Sequence, residues 1–310
     1  MPRLPSWAVS DAFWKRVEPL LPQPTRNPNK SYIRKKGGGR KPLDYRQVFE
    51  GIVYVLRTGC QWKALPKEVY GSPSSVHAYF RQWEKAGVFL AMWRAGLAEY
   101  DEMEGISWSW QSIDSAMTKA PLAREAVGPS PTDREKKGSK RHLLVEEHGV
   151  PLSIVVTGAN RHDVTQLEIV LDSIVIQRPE PIAEQPQHLC ADKGYDGKPA
   201  YQSIVDRDYI PHVRRRGEEI EAKKTVPGYH ARRWVVEVCN SWFNRFRKIL
   251  VRYEKTFSSY IALVHLAAAI ICWRKVGDIY GKALIITGSG KQITFPLTLT
   301  LSPIGGEGKK

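Results

Sequence analysis

The feature that most restricts the fold of this 310-residue chain is a series of short apolar segments between Trp108 and Ile210. Leu152, Ile154 and Val156 fall at every second position, the period of a half-buried strand. Arg141 to Val145 precedes them across Glu147-His148-Gly149, which has the composition of a hairpin turn. Upstream, Ser112-Ile113-Asp114 ends a further expected strand. Downstream, Asp163 is expected to cap a helix, with Gln166 at capping-box spacing and Val164, Leu167, Leu171 and Ile174 on its buried face. Leu189-Cys190-Ala191-Asp192 forms a short strand, followed by a helix from Pro199 to Asp206 and a strand from Tyr209 to Val213.

The resulting order, β-β-β-α-β-α-β, has an antiparallel hairpin leading into parallel crossovers. It predicts an α/β protein with an RNase H-like mixed sheet and flanking helices. Residues 1–100 differ in texture, being helical and rich in aromatics. Asp44 caps a helix carrying Val48, Ile52, Val55 and Leu56, which Gly59 stops. A second helix starts at Ser74 and Ser75 and runs through Val76, Tyr79, Phe80 and Trp83, with Arg81 and Lys85 on its polar side. Two helices across a Gly-marked turn suit a helix-turn-helix DNA reader or, equally, an ordinary helical bundle. The basic, Gly-rich stretch 34–42 lacks the spacing of a phosphate-binding P-loop and has the composition of a linker. A catalytic domain is expected over 105–277, with one long helix from Trp234 to about Val251 and a last helix capped by Ser258. Residues 278–310 show no core-forming pattern and are expected to be a disordered or readthrough tail.

Charge narrows the partners. There are 47 Lys and Arg against 32 Asp and Glu, a net charge of +15, which favours a polyanion. The 4 cysteines are scattered without metal-ligand spacing. The longest apolar stretch, Ile261 to Trp273, is shorter than the ~20 residues of a membrane span. A soluble cytoplasmic protein with no membrane partner is the expectation.

Phosphodiester cleavage requires a nucleophile in line with the leaving oxygen and neutralisation of charge on both. Two metal ions held by carboxylates supply this. Asp114, Asp192 and Glu237 stand where an RNase H-like core places such acids. Pattern alone leaves alternatives open: Asp114 equally suits a turn cap, and Asp192 enters a turn-rich segment. Glu237, Ser241, Asn244 and Lys248 recur at 4, 3 and 4 residues on a polar helix stripe, opposite Val235, Val238, Trp242, Phe246 and Ile249. A solvated helix face would look the same.

Several motifs carry a family resemblance. Gly39-Arg40-Lys41-Pro42-Leu43-Asp44-Tyr45-Arg46 leads to Arg57-Thr58-Gly59-Cys60-Gln61-Trp62. Lys140-Arg141-His142-Leu143-Leu144-Val145 is followed by Gly158-Ala159-Asn160-Arg161-His162-Asp163. Ala191-Asp192-Lys193-Gly194-Tyr195-Asp196 and Arg233-Trp234-Val235-Val236-Glu237 complete the set. In this order, from about Val9 to Val276, they resemble the insertion-sequence-five transposases. The resemblance implies a DDE enzyme that cleaves DNA at terminal inverted repeats and joins the freed 3′ ends to target DNA. It implies Asp114, Asp192 and Glu237 as the triad, holding two Mg2+ ions with Mn2+ able to substitute, and double-stranded DNA and further copies of the chain as partners. Tyr229 with Arg232 or Arg233 corresponds to the group that engages the transposon end. The usual Lys, seven residues after Glu237, is replaced by Asn244, which leaves Arg245 and Lys248 as nearby bases. Lys140, Arg141 and Arg81 complete the expected DNA contacts. The rival readings are a nuclease without joining activity and a degenerate copy that only binds DNA.

Overall fold

The computed structural model describes residues 5, 7–23, 31, 41–213, 221, 224–225, 232 and 234–287, with backbone alone at 104 and 278–287. The five expected strands, with a two-residue strand that was not expected, form one six-stranded mixed sheet. Its members are β1 (Trp110–Lys119), β2 (Gly128–Pro129), β3 (Lys137–Glu146), β4 (Pro151–Gly158), β5 (His188–Ala191) and β6 (Ile210–Val213). β1 pairs antiparallel with β3 and parallel with β5, β5 pairs parallel with β6, and β4 and the short β2 both lie along β3. This is the RNase H-like order, with β1 at the centre.

The β3–β4 turn is held by a buried acid. Glu146 is fully enclosed and accepts hydrogen bonds from the His148 and Val150 N–H groups at 2.8 and 2.9 Å. Gly149 adopts φ +83°, and a Cβ there would meet the Trp242 ring at 3.2 Å, so the position requires glycine twice over.

The amino-terminal helices are α1 (Asp11–Val17), α2 (Tyr45–Thr58), α3 (Lys67–Tyr70), α4 (Pro73–Lys85) and α5 (Val88–Glu104). Asp44 caps α2 by accepting from the Gln47 N–H at 2.9 Å, and Gly59 ends it in the left-handed region at φ +73°. The second helix begins at Pro73 behind Ser72, slightly earlier than Ser74 and Ser75 suggest, because proline is favourable in a first turn. The later helices are α6 (Leu167–Asp172), α7 (Lys198–Val205), α8 (Trp234–Asn244), α9 (Arg247–Leu250) and α10 (Phe257–Thr287).

Three expectations change here. The long helix from Trp234 breaks after Asn244, where Phe246 turns to extended backbone and buries its ring. Thr256, not Ser258, accepts from the Ser259 N–H at the start of the last helix. That helix continues past Gly277 to Thr287, so 278–287 is helical backbone, and the rest of the expected tail lies outside the described residues.

α8 lies on one face of the sheet against β1 and β3, while α6 covers the other face over β3 and β4. α5 packs along α10 closely enough that a Cβ on Gly96 would stand 3.3 Å from the Cys272 Cβ. One hydrophobic cluster consequently runs from Val9 through the sheet to Val276. Over Phe257–Gly277, α10 is long and apolar enough to cross a membrane, yet 61% of that window is buried within the protein.

Candidate active site

Asp114 does not end its strand. It sits in the middle of β1, and the β1–β5 pairing sets Ile113 beside Ala191. The next residues on each strand, Asp114 and Asp192, therefore emerge side by side at the end of the parallel pair. Asp192 leaves β5 and folds back, its carboxylate accepting from the Gly194 N–H at 2.7 Å. Even residues of β1 face α8, as the bond from Ser112 Oγ to the Arg232 carbonyl at 3.1 Å shows. Glu237 is exposed in the first turn of α8, near enough for its charge to act on Asp114. Among the described residues, no three His, Cys, Asp or Glu side chains lie close enough together to hold an ion. The charges of the neighbouring acids are felt at Asp114. Burial raises the Asp114 carboxyl to about 6, aided by the charges of Asp192, Asp163 and Glu237 and opposed by a backbone N–H at Ser115.

This shift has a signed consequence for stability. A carboxyl raised in the native state binds more protons there than in the unfolded chain, so stability falls as pH rises from about 4 to about 6. Asp114→Asn is expected to stabilise the metal-free protein above pH 6 by roughly 2–3 kcal/mol, with the difference vanishing below pH 4. Urea midpoints of the two proteins across this range check it; a constant difference at every pH would contradict it.

Asp163 belongs to this neighbourhood and was expected only as a helix cap. His162 holds the cap position instead, and the chain passes through a 3-10 turn, Asp163–Gln166, before α6. The Asp163 carboxylate accepts from Ser115 Oγ at 2.8 Å and pairs with Lys140 Nζ at 3.1 Å. Register places Ser115 opposite His142, on the sheet face away from Asp114. Burial lowers the His142 imidazole to about 4, although Asp163 opposes this. Tyr195 is also enclosed here, its hydroxyl without a hydrogen-bond partner among the described residues, and burial followed by the charges of Asp163, Asp114 and Asp192 drives its phenol well up. The turn-like composition around Asp192 gave no hint that Tyr195 is core.

The basic residues expected to grip DNA divide sharply. Tyr229 and Arg233 lie outside the described residues. Asn244, at the end of α8 on the expected polar stripe with Glu237 and Ser241, is exposed, as is Arg245 just beyond it. Lys248 is a correction. The break after Asn244 turns it inward, where it is 6% exposed and pairs with Glu254 at 3.2 Å. Arg141 is a second. It points into the layer under α8, bonding Asn240 Oδ1 at 3.2 Å and stacking on Phe243, so it presents no surface to a phosphate. Lys140 is largely buried against Asp163 and the Arg161 carbonyl. Arg81 is tied to Glu84 and to the Ser259 hydroxyl of α10, and Arg232 to Glu147 and the Trp110 ring. Within α4, Arg81 thus braces α10, while Lys85 in its last turn is exposed.

A central parallel strand pair with adjacent aspartates, covered by a helix bearing an acid, defines an RNase H-like α/β protein. The comparisons place it further. Residues 111–272 match the family "Transposase DDE domain", and residues 9–93 match "Putative transposase of IS4/5 family". The chain belongs to the DDE transposases of insertion sequences. It is 35% identical over 153 residues to the "Putative transposase for insertion sequence element IS402" of Burkholderia cepacia, covering 48% of this chain and 70% of that one. It is 33% identical over 124 residues to the "Insertion element IS402 uncharacterized 16.2 kDa protein" of the same organism, covering 40% and 80%. The solved structure titled "Crystal structure of the Mos1 Strand Transfer Complex" aligns with 85% of this chain and 83% of its own at 12% identity, with a TM-score of 0.30, too loose a match to bear on fold or site.

Proposed function

We propose that this protein cleaves DNA at the terminal inverted repeats of an insertion sequence and joins the freed 3′ ends to target DNA, using Asp114, Asp192 and Glu237. The observation that carries this reading is the side-by-side emergence of Asp114 and Asp192 at the end of β1 and β5, beneath the helix bearing Glu237. Carboxylate oxygens fit Mg2+ or Mn2+, and a bound cation would draw together three acids that stand too far apart to hold one as they are, relieving the repulsion that Asp192 and Glu237 exert on Asp114. Asp114, Asp192 and Glu237 would hold such ions, which would supply charge neutralisation to the reacting phosphodiester. The chain contributes the rest. Ser115 and the Gly194 N–H fix the backbone around the two aspartates, and the exposed end of α8 offers Asn244 and Arg245 to the DNA strand. The same site then serves both the cleaving and the joining step, with several copies of the chain acting on paired ends.

Precut transposon ends with a free 3′ hydroxyl, incubated with supercoiled target plasmid and Mg2+, are expected to become covalently joined to the plasmid. Cleavage of uncut ends without any joined product would instead assign a nuclease.

A further inference from the structure

The segment Gly158-Ala159-Asn160-Arg161-His162-Asp163 carries part of the family resemblance, yet none of it belongs to the three acids or to the exposed end of α8. Its place in the fold gives it work. The β1–β5 ladder ends at Ile113 and Ala191, so from Asp114 onward that edge of β1 has lost its neighbouring strand. Over Asp114 and Ser115 the strand is paired with β3 on its other edge.

Asp163 takes hold of β1 at this point. Successive residues of a strand point to opposite faces, so Asp114 faces α8 and Ser115 faces the other way. There Ser115 Oγ donates to the Asp163 carboxylate at 2.8 Å. The same carboxylate meets Lys140 Nζ at 3.1 Å and stands 3.5 Å from His142 Nδ1. Both partners are on β3, where His142 lies opposite Ser115. Lys140, almost wholly buried, also donates to the Arg161 carbonyl at 2.8 Å, so the loop that carries Asp163 is pinned at two points. The second aspartate is reached by packing. The turn Asp163–Gln166 lies against the turn Lys193–Tyr195, which Asp192 begins and whose Tyr195 is 1% exposed.

One carboxylate is thus bonded to the strand of Asp114, paired with the strand beside it, and seated on the turn of Asp192. We propose that Asp163 is a positioning residue for the metal site, bracing the backbones of Asp114 and Asp192 from the reverse face of the sheet. It holds no ion itself, being engaged by Ser115 and Lys140. Without the brace, an arriving cation would first have to order the strand and the turn whose carboxylates it binds, and its affinity would fall by that cost. The inference rests on the reading that Asp114, Asp192 and Glu237 hold divalent cations.

Mn2+ titrated into the full-length protein without DNA, with the free ion counted by electron paramagnetic resonance, is the probe. Ions lost in Asp192→Asn define the site. Asp163→Ala is expected to weaken those ions by about tenfold, the lower end of what losing an outer partner of a metal site costs. Ser115→Ala removes a single hydrogen bond and should weaken them in the same direction, which keeps the test open if Asp163→Ala fails to fold. Asp163→Asn retains an oxygen for Ser115 and should recover most of the affinity, although its charge is gone. Neither a need for one more negative charge nor the stranding of Lys140 predicts that recovery. Unchanged Mn2+ binding in both alanine variants overturns the proposal, as does an Asp163→Asn protein that binds no better than Asp163→Ala. If Asp192→Asn itself loses no ions, the reading of the three acids fails and the brace with it; if it does and the alanine variants do not, the brace alone fails.

Discussion

Replacing Asp192 by alanine is expected to slow strand cleavage by about a thousandfold or more, since metal-assisted charge stabilisation is worth several kcal/mol and each 1.36 kcal/mol is tenfold. Binding to transposon ends should stay within about twofold, because the exposed end of α8 and the basic surface are untouched. A folding artefact is a real competitor here. The Asp192 carboxylate accepts the Gly194 N–H, and losing such a cap costs about 1 kcal/mol. Asp192→Asn keeps an acceptor at that position and removes only the charge. If both variants bind ends and neither cleaves, the loss lies in the chemistry. Mg2+-dependent cleavage at the normal rate by Asp192→Ala would remove Asp192 from the site.

The largest stability effect is expected at Glu254, far from any reacting atom. Glu254 and Lys248 have side chains only 7% and 6% exposed and meet at 3.2 Å. Removing one partner of a buried pair strands the other charge and costs about 3–5 kcal/mol. For a chain of this size that corresponds to a fall in melting temperature on the order of 10 °C. The double replacement Lys248→Met with Glu254→Leu should recover most of the loss, because it removes both desolvated charges together. A single Glu254→Ala variant that melts within a degree or two of wild type would show the pair to be energetically idle.

These two sites differ in how openly the sequence declares them. The hairpin and the strand order follow from period-two runs of Leu, Ile and Val, a local signal that burial on both faces does not erase. Asp192 stands at a strand end and is legible for that reason. Asp114 is not, because its meaning comes from parallel pairing between strands separated by the whole β3–β4–α6 excursion. The break at Phe246 has no glycine or proline to announce it. Its cause is tertiary: the Phe246 ring is drawn into the core and under Arg57, which overrides the helical preference of its neighbours. Once the helix breaks, the i, i+4 extrapolation from Asn244 to Lys248 fails, and the lysine reads as surface when it is core. Arg57 misleads in the same way. A base in the last turn of a helix is ordinarily a solvated complement to the helix dipole, and nothing local distinguishes one that is enclosed.

The lengthwise contact of α5 with α10 also governs when the protein can exist during its own synthesis. About 150 residues separate Glu104 from Phe257, an interval of roughly 8–30 s at 5–20 residues per second. Throughout that time the nascent α5 displays an apolar flank whose natural cover has not been made. Any message cut short before the segment from Phe257 would release a polypeptide with that flank bare, fit for chaperone capture or degradation. Synthesis through α10 thus decides whether α5 is covered, and products that stop short of it should be cleared rather than accumulate.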